Sequence, residues 1–277
     1  MTRLPPRPLA ASAPSRLNRR HLLAWAAGGA AAAALPLRAE VTDLNDAINK
    51  AGRQRMLSQR LSKAWLALGQ QIEATRAEKV LAESMASFDR QLFELKAFAA
   101  QPAVRATYGQ LEAAWSDYKG VLVGTKPSTA AAQRLLQLDA QVLALAQQGT
   151  AQLEQQAGKP GSALVNLAGR QRMLSQRMAK FHLALAWRLP GTDAPAQIEA
   201  ARAEFIAGLD RLAAASQTTA LIHDQLALAR QQWVFFDRAI GRSSTPAFGD
   251  AQNVFVASEN ILQVMDQVTT LYARLPG

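Results

Sequence analysis

The amino-acid sequence predicts an all-α protein made of two tandem up-down-up-down four-helix bundles, which are related by internal duplication and follow an N-terminal export signal. One observation is a ten-residue stretch that occurs twice in the 277 residues. A second is the helical spacing of apolar residues in both halves of the chain. A third is the confinement of proline and glycine after the leader to a few places, which mark helix ends.

Residues 1–39 have the composition of an export signal. They contain six arginines and no acidic residue, and Arg19 and Arg20 precede an Ala/Gly-rich apolar run. This pattern is typical of a twin-arginine signal peptide. It predicts a periplasmic protein whose signal peptide is cleaved off after Ala39. An uncleaved membrane anchor stays open as an alternative, although the run from Leu22 to Leu35 is shorter than the roughly 20 residues of a spanning helix.

The charge of the chain is mostly a property of this leader. The whole sequence has 31 Lys and Arg against 21 Asp and Glu; subtracting the six leader arginines leaves 25, a net charge of +4 instead of +10. No basic tract with interleaved aromatic residues remains, so we expect no nucleic-acid partner. The absence of cysteine excludes disulfides, thiolate metal sites and covalent haem attachment.

The repeated stretch is AGRQRMLSQR, which runs from Ala51 to Arg60 and again from Ala168 to Arg177. The offset is 117, because 168 minus 51 is 117, and it also relates Phe88 to Phe205. Farther along, the register slips by one, pairing Trp115 with Trp233, and then by two, pairing Ala132-Gln133 with Ala251-Gln252. Single insertions between helices explain this drift, so the two halves are copies of one helical domain.

Breakers and capping residues divide each copy into four helices. The first helix follows Thr42, which can cap it, and runs through the decamer to about Gly69. The remaining boundaries of the first half, in order, are a turn at about residues 70–75, Pro102 opening the third helix, Gly124 ending it, and Ser128 opening the fourth. The helices predicted for the second half are 162–187, 194–215, 219–240 and 246–274.

The cluster Gly158-Lys159-Pro160-Gly161 is the predicted domain boundary, between a first bundle at 40–158 and a second at 162–277. Within each decamer, a helix brings the glycine, the second arginine, the methionine and the second glutamine to one side. In the first copy these are Gly52, Arg55, Met56 and Gln59, while Arg53, Leu57 and Arg60 lie on another side. Solvated arginines beside core Met and Leu would give the same pattern.

The decamer and its flanks resemble the N-terminal sensory domain of type IV pilus methyl-accepting transducers (PilJ-type), whose first helix has the pattern N-x-A-G-R-Q-R-M-L-S-Q-R. Residues 49–60 and 166–177 match it. The same region resembles the P-box of nitrate/nitrite sensor kinases, N-x-A-G-x-x-R-M-x-S-x-R-L, in which the arginine three residues after the glycine holds the anion. Arg55 and Arg172 occupy that place.

This resemblance implies a site for a small oxyanion, most readily nitrate or nitrite, and no cofactor. The implied ligand-binding residues are Gly52, Arg55, Met56, Gly169, Arg172 and Met173. Guanidinium is planar and forked, which suits an oxyanion, and glycine allows a close approach to the helix. The sensor kinases hold their ligand between the first helices of two subunits, so the duplication would make one monomer an internal pseudo-dimer.

We expect no transmembrane, histidine-kinase or methyl-accepting region after Gly277. We therefore expect a binding protein that reports to a separate membrane-bound sensor or transporter. The alternative is a helical adaptor or structural bundle without a ligand, in which the decamer is a packing seam. In that case Arg53, Arg55 and Arg60 would pair with acidic residues on neighbouring helices.

An enzyme is not expected. After the leader only His182 and His223 remain, and neither belongs to an E-x-x-H pair that a di-metal bundle would need. There is no nucleophile elbow, P-loop or Gly-rich dinucleotide turn. His182 takes the place of Trp65 in the first copy, which favours a partly buried packing residue.

Overall fold

A computed structural model describes residues 41–241 and 246–275, and within these ranges the secondary structure is helical throughout. The helices in chain order are α1 (Leu44–Gly69), α2 (Ala74–Phe98), α3 (Pro102–Gly124), α4 (Thr129–Ala157), α5 (Pro160–Ala186), α6 (Ala194–Ala214), α7 (Ala220–Ile240) and α8 (Phe248–Ala273). The all-α prediction is confirmed. The predicted export signal lies outside the described residues.

Most helix ends lie where breakers and caps were predicted. Pro102 is the first residue of α3, where its missing N–H costs no hydrogen bond. Ser128 caps α4, because its hydroxyl accepts a hydrogen bond of 3.2 Å from the backbone N–H of Ala131. The turn between α1 and α2 falls at residues 70–73, inside the predicted range.

The cap of α1 differs from the prediction by one residue. Asp43, not Thr42, is the N-cap, and its carboxylate accepts a hydrogen bond of 2.9 Å from the backbone N–H of Asp46. The backbone N–H of Thr42 donates in turn to the Asp46 carboxylate at 3.1 Å. A carboxylate is the better partner here, because it also interacts favourably with the positive end of the helix dipole.

The junction between the halves is tighter than predicted. The fifth helix begins at Pro160 and not at Ser162, so only Gly158 and Lys159 separate it from α4. Gly158 has φ of +62°, which ends α4 without the strain that a side chain would add. The division into domains at 40–158 and 162–277 stays a prediction, because all described residues belong to one compact unit.

The two halves repeat the same packing. In the first half α1 packs on α2 and α4, and α3 packs on α4; in the second half α5 packs on α6 and α8, and α7 packs on α8. A stacked aromatic pair recurs with this topology. The ring centroids of Phe88 and Trp115 are 4.0 Å apart, and those of Phe205 and Trp233 are 4.8 Å apart. The repeat register read from the sequence therefore relates equivalent positions in space.

The two decamer helices are the centre of the molecule. α1 and α5 make the most extensive helix–helix contact in the described chain. In each decamer only the first and third arginines keep partial exposure, and all other positions are buried. A search of the described helices found none with the length and apolar character needed to cross a bilayer.

Candidate functional site

The two equivalent glycines face each other where α1 crosses α5, and two arginines converge on them. A Cβ atom added to Gly52 would lie 3.1 Å from Nη2 of Arg55, 3.5 Å from Nη2 of Arg172 and 3.8 Å from the Cα of Gly169. A Cβ on Gly169 would lie 3.3 Å from Nη2 of Arg172 and 3.5 Å from Nη2 of Arg55. The missing side chains thus leave room for both guanidinium groups at one point.

Arg55 is fully buried, and among the described residues it bonds only to neutral oxygens. Its Nη1 donates to Oε1 of Gln147 at 2.7 Å, and its Nη2 donates to Oδ1 of Asn166 at 2.7 Å and to the backbone carbonyl of Asn166 at 3.4 Å. Its Nε has no hydrogen-bond partner, and no carboxylate of the described residues forms an ion pair with it. A buried cation that no carboxylate contacts directly is costly, even with the charge of Glu154 nearby.

Arg172 is equally buried but has a carboxylate partner. Its Nη1 donates to Oδ1 of Asp266 at 2.6 Å, and its Nη2 donates to the backbone carbonyl of Asn49 at 3.0 Å. Asp266 is shared, because Nη2 of Arg53 lies 2.6 Å from the same oxygen. The Nε of Arg172, like that of Arg55, has no partner within the described ranges.

The partners of the two arginines lie at equivalent positions of the two copies, but they differ in charge. Each arginine bonds to the fourth helix of its own copy and to the motif asparagine of the other copy. Gln147 and Asp266 are equivalent, because their difference of 119 is the offset that also relates Ala132 to Ala251. A neutral amide therefore faces Arg55 at the position where a carboxylate faces Arg172.

The pKa values of the two arginines reflect this difference in charge. Burial lowers the pKa of Arg55 to about 9, and the positive charges of Arg170 and Arg172 add to the effect, although the Glu154 carboxylate opposes it. Burial also lowers the pKa of Arg172, to about 10, although Asp266 opposes the shift. Burial alone would raise the pKa of the Asp266 carboxyl, but Arg172 and Arg53 hold it below its usual range. Around Arg55 the positive charge is thus less balanced than around Arg172.

The other predicted residues of the decamer have different surroundings. Met56 and Met173 are buried, with 5% and 3% exposure, and belong to the hydrophobic core. Arg53 was expected on another face, away from the site. The structure instead connects it to Arg172 through their shared Asp266, since that carboxylate reaches both helices.

Several residues that complete the site were not identified from the sequence. Gln147, Asp266 and Tyr108 lie on other helices, and Asn166 was noted only as part of the motif. The Tyr108 hydroxyl is buried without a described hydrogen-bond partner; burial raises its pKa, and the nearby charge of Arg55 opposes the rise. The slipped register of the fourth helix was the signal that could have paired Gln147 with Asp266.

A second buried polar layer lies about two turns farther along the same helices. Lys63 donates to Oγ of Ser258 at 2.9 Å and to Oε1 of Glu259 at 2.5 Å, while Lys180 forms an ion pair with Asp139. Each lysine thus contacts the fourth helix of the other copy. Burial lowers the pKa of Lys63 to about 8, although Glu259 opposes the shift.

His182 is a core residue. It is 1% exposed, more buried than the partly buried position predicted for it, and burial lowers its pKa to about 4. Across the described part of the chain, no three His, Cys, Asp or Glu side chains come together in a way that could hold a metal ion.

Comparison with known proteins identifies the repeated unit. The family model described as "Type IV pili methyl-accepting chemotaxis transducer N-term" (PilJ) matches the chain twice, at residues 39–147 and 153–270. The comparisons with curated proteins and with solved structures found no match.

Proposed function

Because this chain belongs to the PilJ family, as two tandem copies of its transducer N-terminal domain, we propose that it is an exported sensory protein that binds one small oxyanion between the copies. Nitrate or nitrite is the proposed ligand, and the proposed role is not catalytic. The proposed ligand-binding residues are Gly52, Arg55, Met56, Gly169, Arg172 and Met173. Met56 and Met173 would supply the apolar wall of the site.

The observation that supports this proposal most is the state of Arg55. Its guanidinium is completely buried and faces the guanidinium of Arg172 across two glycines, and within the described ranges it bonds only to neutral oxygens. A monovalent anion at this point would be attracted by both cations and would reduce their mutual repulsion. The Nε groups of Arg55 and Arg172, which have no partners among the described residues, are further donors for its oxygens.

Burial of the site would connect binding to helix packing. Both guanidinium groups are 0% exposed, so an ion reaches them only when α1 and α5 or the fourth helices shift. Bound anion would then favour the closely packed arrangement over the more open one. A separate membrane-bound sensor or transporter that distinguishes these two arrangements would read the signal, and one chain would act as one sensory dimer.

Calorimetric titration of the leader-free protein with nitrate, nitrite, sulfate, phosphate and chloride tests the proposal. We expect nitrate or nitrite to bind, and Arg55→Ala or Arg172→Ala to weaken that binding by about 10- to 150-fold, because each charge-assisted hydrogen bond contributes roughly 1.5 to 3 kcal/mol. Arg60→Ala is the matched control within the decamer and should change the affinity little. Equal losses in all three variants would contradict the assignment.

The packing-seam alternative also has support, because Arg53 pairs with Asp266 and Arg60 pairs with Glu259 of the other copy. Gln147→Glu separates the two functions. It gives Arg55 the carboxylate that Arg172 already has, so an anion site should lose affinity about 10-fold or more while the free protein becomes more stable. A stabilised variant together with a wild-type protein that binds none of the five anions would favour the seam.

A further inference from the structure

Each decamer helix has an equivalent arginine and lysine just after the decamer's serine. Arg60 and Lys63 of α1 correspond to Arg177 and Lys180 of α5, at the common offset of 117. The fourth helix that packs opposite them differs between the copies. It presents Ser258-Glu259 to the first pair and Asp139-Ala140 to the second, which are equivalent positions at the offset of 119.

On the α1 side a single carboxylate contacts both cations. Glu259 accepts hydrogen bonds from Nε of Arg60 at 3.0 Å and from Nζ of Lys63 at 2.5 Å, and its side chain is only 9% exposed. Burial opposes ionisation of Glu259, but Lys63 and Arg60 hold its pKa at about 2. One carboxylate therefore serves both an arginine and a lysine here.

On the α5 side the carboxylates are arranged differently. Lys180 pairs with Asp139, which is fully buried and also accepts a hydrogen bond of 2.7 Å from Nε2 of Gln59. Ala140 stands where Glu259 stands in the other copy and has no carboxylate to offer. Arg177 donates to the neutral Oε1 of Gln197 and makes no ion pair with any residue in the described ranges.

The space next to Arg177 is large enough for a small molecule. The cleft has a volume of about 510 Å³, within the range of small-molecule sites. Arg177 lines it together with the ion pair of Lys180 and Asp139, and its apolar wall has Leu136, Leu143, Phe181 and Pro190. Both cations lie over the Phe181 ring, at 5.5 Å from its centroid for Arg177 and 4.3 Å for Lys180.

We propose that this cleft binds a small organic carboxylate with an apolar body, whose carboxylate takes on Arg177 the place that Glu259 takes on Arg60. The contact between Glu259 and Arg60 shows the geometry that we expect for the ligand. In that contact the protein's own carboxylate occupies the position equivalent to that of the ligand on Arg177. The apolar body rests against Phe181 and the two leucines. An inorganic oxyanion would leave this wall exposed to water, which makes the ligand class different from that of the site at Arg55.

Titration of the leader-free protein with benzoate and with hexanoate, followed by NMR, is the direct test. Both probes bind the wild type, and benzyl alcohol, which has the ring without the charge, binds much more weakly. Arg177→Gln weakens benzoate binding by about 10-fold or more, as expected for loss of a charge-assisted contact. Arg211→Gln, which removes an exposed arginine of α6, leaves it unchanged.

Two further variants exchange the residues at the equivalent positions 140 and 259 of the two copies. Ala140→Glu adds an internal carboxylate at an exposed position and blocks benzoate. Glu259→Ala removes the carboxylate from Arg60 and creates a second benzoate site in a protein that circular dichroism shows to be folded. The proposal is overturned if the wild type binds neither probe, if folded Ala140→Glu binds like the wild type, or if folded Glu259→Ala gains no site.

This proposal can fail independently of the oxyanion site. Arg55→Ala, which removes oxyanion binding in the proposed function, leaves benzoate binding unchanged, because Arg55 does not line this cleft. A loss of benzoate binding in Arg55→Ala with an intact fold would mean that both ligands share the central site, and would overturn the assignment to Arg177.

Discussion

At the scale of the residue, the two central arginines are equivalent in position and unequal in charge balance. Arg172 has Asp266, whereas Arg55 has the amides of Gln147 and Asn166. In the proposed function, the exchange of one carboxylate for one amide between the copies would favour an anion beside Arg55. A perfectly symmetric pair of carboxylates would neutralise both guanidinium groups and leave little attraction for a ligand.

His182 provides a pH-dependent prediction at the same scale. Burial lowers its pKa from 6.5 to about 4, so the unfolded chain takes up a proton first as the pH falls. The stability that the neutral imidazole contributes is thus present above pH of about 6.5 and is lost as the pH falls toward 4, by on the order of 3 kcal/mol.

Urea unfolding between these pH values measures the effect. His182→Phe should remove most of this pH dependence, while His223→Gln, at an exposed position of α7, should retain it. An unchanged slope in His182→Phe would show that another group titrates in this window.

At the scale of the element, the close approach of α1 and α5 depends on Gly52 and Gly169. A methyl group at either position would lie 3.1 to 3.3 Å from a guanidinium nitrogen, so the side chain would have to move. We expect Gly52→Ala and Gly169→Ala to destabilise the protein by about 1 kcal/mol or more, despite the better helix propensity of alanine.

Gly120→Ala in α3 is the matched control, because nothing lies within 4 Å of its added Cβ. That variant should gain about 0.5 to 1 kcal/mol from helix propensity alone. Thermal unfolding compares the three variants, and a gain in Gly52→Ala equal to that in Gly120→Ala would contradict the close approach.

The helices were predictable because each depends on local signals. Ser128, Pro102 and Gly158 act within one turn of their own helix, so the sequence alone locates those ends. The decamer likewise indicated Arg55 and Arg172 directly. Gln147 and Asp266 lie about 90 residues away from the arginines that they bind, on helices whose rotation is set by tertiary packing. A sequence pattern does not specify how a helix is rotated against its neighbours.

At the scale of the whole molecule, polar contacts between the copies are concentrated in the buried centre. Lys63 and Arg60 bond to Glu259, Lys180 bonds to Asp139, and the central arginines bond to the asparagines of the opposite copy. The duplication therefore creates an interface in which each half completes the polar groups of the other. This arrangement is the reason to expect a single shared site and not one site in each bundle.

The stoichiometry of anion binding tests this shared site most directly. Calorimetric titration of the leader-free protein with nitrate or nitrite should give one ion per chain, and Arg55→Ala and Arg172→Ala should each weaken that single event. Two ions per chain, with each substitution removing only one of them, would contradict the shared site and show that the two bundles bind independently.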